Sequence, residues 1–208
     1  MKTVYSMIAC VSLLLVLAGC SEGTKPVASE PKEPEPPPEA VTAQQAFQQM
    51  YITARSWAPD AKLLRMASLD LAEIKSEGGK AGAWECIFVS ERRQRARRYT
   101  YSAVEVASPS LPKGVSAGSE DSWAGGGQAK PFLVQAFKTD SAAAYETAMK
   151  RGAEYTKKNP NMPIKFLLEQ TSRFPNPAWR VFWGESVATS GYSIFVDASD
   201  GRYLATSR

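Results

Sequence analysis

Ala83-Trp84-Glu85-Cys86-Ile87-Phe88-Val89 is the stretch that decides the fold. Trp84, Cys86 and Phe88 alternate with Glu85 and Ile87, the period of a strand that buries one face. Gly78-Gly79-Lys80-Ala81-Gly82 before it reads as a turn, and residues 99–106, rich in aromatic and β-branched side chains, read as the answering strand. Ninety-five residues further on, Ala178-Trp179 opens a second strong strand over 178–184, answered by another over 192–197. Two aromatic strand pairs with the same opening dipeptide predict the same small sheet built twice.

A helix is predicted ahead of each pair. Thr42-Ala43-Gln44-Gln45 has the spacing of a capping box, with a hydroxyl for the orphan N–H groups and a Gln three residues on to reciprocate. Phe47, Met50, Tyr51, Ala54, Trp57 and Ala58 then fall on one helical face, and Pro59 stops the run. In the second half Asp140 or Ser141 can cap a helix whose inner face holds Tyr145, Ala148, Met149 and Gly152, ended by Asn159-Pro160. Further strands are expected over 63–66, 132–137 and 164–168, and Asp200-Gly201 suits a hairpin turn before Tyr203-Leu204. Residues 108–130, polar and holding Gly125-Gly126-Gly127, read as a long flexible loop; the triplet lacks the Lys-Ser/Thr of a phosphate loop. The predicted class is therefore α+β, a helix packed on an antiparallel sheet, in two tandem copies over 42–130 and 131–208.

The second copy resembles a known family. Pro177-Ala178-Trp179-Arg180-Val181, followed by Tyr192-Ser193-Ile194-Phe195-Val196-Asp197-Ala198-Ser199-Asp200-Gly201-Arg202-Tyr203-Leu204, is similar to the PepSY-like group of small secreted domains, with Asp200 where Thr is common. The likeness covers 132–204, and Lys138-Thr139-Asp140-Ser141 with its Ala-rich helix fits it. It implies a helix on an antiparallel sheet in a non-enzymatic domain of the cell envelope, with protease inhibition or regulation as the suggested role. It supplies no catalytic residues.

The chain start carries an address. Lys2 is followed by an apolar run from Met7 to Ala18, too short at about 1.5 Å per residue to cross a hydrocarbon core of about 30 Å. Leu17-Ala18-Gly19-Cys20 resembles the lipobox of bacterial lipoproteins. That resemblance implies removal of residues 1–19, a diacylglycerol thioether on Cys20 and N-acylation, the lipid being the one covalent group expected and no other cofactor. Two or three acyl chains satisfy the two-signal requirement for stable anchoring. Ser21 in place of Asp implies the outer membrane in a Gram-negative host. Residues 22–40 hold six prolines and five glutamates and read, with Cys20, as a tether over 20–41.

Charge and chemistry narrow the role. The formal charge is +4; leaving out Lys2, Lys25, Lys32 and the five tether glutamates gives 22 basic against 16 acidic residues, or +6, in the folded part. This modest excess suits an anionic surface but is no nucleic-acid signature. The chain has no histidine, which removes the usual general base and the commonest metal ligand, so neither catalysis nor a metal site is expected. With Cys10 in the leader and Cys20 lipidated, Cys86 is a lone thiol, read as an inert core residue.

Arg92-Arg93-Gln94-Arg95-Ala96-Arg97-Arg98 places five arginines between two strands. They are candidates for an anion-binding hairpin tip, set against a solvated edge whose charges discourage aggregation. Two functions follow. One is a lipid-anchored module that binds an envelope protein or peptide through strand edges and the 108–130 loop. The other binds small amphiphiles or anionic polymers, with Trp84 or Trp179 lining a pocket between helix and sheet.

Overall fold

The computed structural model describes residues 37–108 and 110–207. The leader, Cys20 and the tether as far as Pro36 lie outside the described residues. In chain order the elements are β1 (Val41–Thr42), α1 (Ala43–Trp57), β2 (Lys62–Leu69), β3 (Lys80–Ala81), β4 (Ala83–Ser90), β5 (Arg95–Ser102) and β6 (Gly114–Ser122). A 3-10 turn at Val134–Ala136 is followed by α2 (Ser141–Lys158), β7 (Ile164–Glu169), β8 (Ala178–Trp183), β9 (Tyr192–Asp197) and β10 (Tyr203–Ser207).

Eight strands form one antiparallel sheet in the order β10-β9-β8-β7-β2-β4-β5-β6, with β1 and β3 paired separately. The predicted α+β class, a helix on an antiparallel sheet, is what the chain forms. Each half supplies a helix and four strands of this sheet. They meet where β2 pairs with β7, Met66 opposite Leu168 and Ala67 opposite Leu167. α1 packs on β4 and β5, α2 on β8 and β9.

One core runs through both halves. Trp84, Trp179 and Trp183 are fully buried. The Trp84 and Trp179 rings meet edge to face with centroids 6.4 Å apart, and Phe166 touches both. Each strand-opening tryptophan makes the same hydrogen bond. Trp84 Nε1 donates to the Val41 carbonyl at 3.0 Å, and Trp179 Nε1 donates to the Thr139 carbonyl at 2.8 Å. In both cases the acceptor is the residue just before the helix N-cap, Thr42 or Asp140. Both rings are fully buried among neighbouring aromatics, which removes the amphiphile reading in the form that relied on them.

The capping box forms as expected, the Thr42 hydroxyl accepting from the Gln45 N–H and the Gln45 side chain accepting from the Thr42 N–H. Cys86 is buried, and desolvation pushes its thiol well above the ordinary range, with the Glu85 charge adding to the shift.

Two predicted segments differ. Residues 132–137 are not a strand: Phe132 makes a single bridge to Leu63, then the chain coils through Val134–Ala136. Phe132 and Phe137 are buried as anchors while Leu133 between them is 62% exposed, a spacing that suits neither face of a sheet. Residues 108–130 are not one loop, because β6 runs through them. Its Gly-, Ser- and acid-rich sequence, with Val115 its one β-branched residue, has little strand propensity, and pairing along β5 overrides that.

Candidate interaction surface

The five arginines sit on β5 and on the short turn that precedes it. The turn is only 91–94, closed by Gln94 at φ 51, so Arg95, Arg97 and Arg98 lie in a paired strand and not at a hairpin tip. Asp60, after α1, organises the turn. It accepts from Ser90 Oγ at 2.8 Å and from the Arg92 N–H at 3.1 Å, while Ser90 Oγ accepts from the Arg93 N–H. Against the upward push of burial, these hydrogen bonds and the Arg92 charge hold the Asp60 carboxyl below its ordinary value.

Strand alternation then divides the cations between the two faces. Arg97 lies on the helix-bearing face, its guanidinium 5.6 Å from the Tyr99 ring centre and its Nε donating to the Gly118 carbonyl. Arg98 lies on the other face and pairs with Glu85 at 3.2 Å. Arg95 donates to Ser122 Oγ across the β5–β6 ladder. Arg93 is the most engaged, donating to the Trp57 carbonyl, stacking 5.2 Å from the Trp57 ring centre and pairing with Glu120. Trp57 Nε1 also donates to Glu120 at 2.7 Å, so the end of α1, the turn and β6 are tied at one corner. Arg92 stands exposed in the turn. The five guanidinium groups therefore do not converge on one point; three brace β6 and one braces β4.

What they brace is an open edge. β6 pairs with β5 from Ser102↔Gly114 to Arg95↔Ser122, with an irregularity between Arg97 and Tyr99. It is the last strand of the sheet, so along its outer side no strand among the described residues takes up its backbone groups. From Ala117 to Ser122 every residue is exposed.

Residues 92–98 contain no aromatic side chain. The fold brings two from elsewhere, Trp57 beneath Arg93 and Trp123 after β6. Trp123 donates its N–H to the Gln94 carbonyl and, with Arg93, Gln94, Arg95, Ser122 and Ala124, lines a hollow of about 270 Å³. These contacts link residues about thirty apart in sequence, beyond the reach of any local pattern.

No helix among the described residues is long and apolar enough to cross a membrane. No family model matches the chain, and no curated protein matches it. Among solved structures, a crystal structure of a "putative lipoprotein" from Clostridium difficile 630 is similar to it at 10% sequence identity, with a TM-score of 0.43, over 77% of this chain and 91% of that one.

Proposed function

We propose that this protein is a lipid-anchored, non-catalytic module of the cell envelope that captures an extended segment of an envelope protein or peptide by strand addition to β6. The reading of the anchor rests on Leu17-Ala18-Gly19-Cys20 and the proline- and glutamate-rich tether; Ser21 supports the outer membrane as its place in a Gram-negative host. The absence of histidine supports a role without catalysis. The two matching Trp-to-carbonyl hydrogen bonds support reading the halves as copies of one PepSY-like unit, with modulation of a protease as the regulatory version of the role.

The observation that carries the reading is the edge of β6, nine residues long and unpaired on its outer side among the described residues, tied down by Arg95 and Arg97 of β5 and by Arg93 of the turn. An incoming strand would gain main-chain hydrogen bonds along it, with side chains alternating to either side. Ser119→Pro removes one N–H from the strand and places a ring on it. The test is capture from envelope extracts by the full chain and by this variant, with folding checked by circular dichroism. Loss of one specific partner in the variant is expected; equal capture by both proteins would end the strand-addition reading.

The hollow at Arg93, Arg95 and Trp123 favours a second reading, binding of anionic head groups or polymers at the turn. Co-sedimentation with lipopolysaccharide at low salt, compared with a variant carrying Gln at Arg92, Arg93, Arg95, Arg97 and Arg98, decides it. Unchanged sedimentation of the variant would reject it.

A further inference from the structure

Both helices pack on the face of the sheet that carries Trp84, Trp179 and Trp183. On the opposite face, strand alternation sets Arg65 and Ala67 of β2 against Glu169 and Leu167 of β7. The 185–188 segment after β8 forms a wall beside them, leaving an open groove of about 390 Å³. That wall is tied to the sheet at two points. Lys165 Nζ donates to the Glu185 carbonyl at 3.0 Å, and Arg180 Nη2 donates to the Val187 carbonyl at 3.5 Å.

The charges lining the groove are unequally matched. Lys165, with its side chain 16% exposed, pairs with Asp70 at 3.0 Å and with Glu185 at 2.9 Å. Its charge is therefore answered twice. Arg65 also lines the groove, but its Nε is buried without an acceptor and its guanidinium forms no ion pair among the described residues. Glu169 stands opposite Arg65 in the ladder without pairing with it, and Glu85 on the neighbouring strand pairs with Arg98. A guanidinium with no protein acceptor, set in a groove wall, is a receptor for an anion.

Between Arg65 and Lys165 the groove is apolar. Ala67, Leu69 and Val187 are half-buried there, above the buried Leu167 and Phe182. From Arg65 to Leu69 this strip runs about 13 Å, four strand residues at about 3.3 Å each. One unpaired cation matches one negative charge. A phosphate dianion would bring a second charge toward Asp70 and Glu185, with no other unpaired cation lining the groove to receive it.

We propose that this groove binds a medium-chain monocarboxylate, its head on the Arg65 guanidinium and its alkyl chain along Ala67, Leu69 and Val187. The strip suits a chain of about ten carbons. This places an amphiphile on the face away from the tryptophans, in a site separate from the β6 edge and from the arginine turn.

The test is equilibrium dialysis of radiolabelled decanoate against the full chain in phosphatidylcholine vesicles, with protein-free vesicles as the blank. One decanoate per chain is expected above the blank. Unlabelled butanoate, which has the head without the tail, is expected to displace it at least about tenfold less well than unlabelled decanoate, and decyltrimethylammonium not to displace it. Arg65→Gln is expected to weaken uptake at least about tenfold, and Ala188→Asp, at an exposed position on the wall, by a similar factor. The chain with Gln at Arg92, Arg93, Arg95, Arg97 and Arg98, and the Ser119→Pro chain, are expected to take up decanoate unchanged. No uptake above the blank, or equal displacement by butanoate or decyltrimethylammonium, overturns the proposal. So does uptake indifferent to Arg65→Gln in a chain with native circular dichroism; should that variant not fold, indifference to Ala188→Asp overturns it alone. Loss of uptake in the five-Gln chain also overturns it, by moving the carboxylate to the turn.

Discussion

Asp140 holds the starts of two helices at once. Its Oδ1 accepts from the Ser141 N–H at 2.7 Å at the head of α2 and from the Gln44 N–H at 3.0 Å at the head of α1. Ser141 Oγ accepts from the Ala43 N–H at 2.9 Å. Two helix N-termini carry like partial charges, and one carboxylate between them offsets both. Asp140→Ala is therefore expected to cost more than an ordinary cap, about 2 kcal/mol, read as a lower denaturant midpoint, with Asp140→Asn retaining part of it. Asp197 gives the pH dependence. Burial pushes its carboxyl upward, but hydrogen bonds from the Ser199 hydroxyl and N–H and from Asn176, with Arg202 nearby, hold it below the ordinary value. A depressed folded pKa contributes stability above the unfolded value of about 4, and that contribution is lost as pH falls through the folded value. Thermal unfolding measured below about pH 4 should fall more steeply for the native chain than for Asp197→Asn; parallel curves would contradict this. At this scale much was legible. Thr42 and Gln45 sit three residues apart, and the Asp200-Gly201 turn is local, with Gly201 at φ 76. The sharing of Asp140 was not legible, because Gln44 and Asp140 are 96 residues apart.

Among the elements, β6 and the turn before α2 show where local pattern gives out. β4 announces itself because burial on one face forces alternation, Trp84, Cys86 and Phe88 all being buried. β6 has one shielded side, against β5, and two largely wet faces, so nothing selects alternating hydrophobic residues, and Gly-Ser-rich sequence reads as loop. The expected strand over 132–137 fails for the opposite reason: its apolar residues anchor a crossover and, beyond the single bridge at Phe132, do not pair. Gly78-Gly79 was legible as a turn, though not why glycine is needed there. Gly79 has φ 81, and a Cβ on it would lie 2.5 Å from the Ser141 carbonyl oxygen and 2.7 Å from Ala142 Cα, on the first turn of α2. Both atoms are backbone and cannot swing aside. Gly79→Ala is expected to destabilise by about 1–3 kcal/mol in denaturant titration, whereas Gly126→Ala, with no atom within 4 Å of its Cβ, is limited to the cost of its positive φ.

Across the whole molecule, the two halves identified by Ala83-Trp84 and Ala178-Trp179 share one sheet and one core. β2 and β7 pair at the centre, and Trp84 of the first half packs on Phe166 and Trp179 of the second. The described residues from Pro37 onward form one compact unit. A single cooperative unfolding transition is expected, with matching near-ultraviolet and far-ultraviolet profiles. Expressed alone, residues 131–208 should lack fixed tertiary structure, since β7 would expose Leu168 and Phe166 along an unpaired edge. A well-dispersed spectrum from that fragment would show instead that each half is self-sufficient. Among the described residues the sheet ends in two edge strands, β6 and β10, and the proposed function depends on their being unequal. Photo-cross-linking in intact cells compares them directly, with the probe placed in turn at Ala117 and Ser119 of β6 and at Ala205 of β10. The account predicts one discrete protein adduct from the β6 positions, absent from the β10 position and abolished when the Ser119→Pro change accompanies the probe at Ala117. Adducts of the same pattern from both edges, or none from β6, would contradict it.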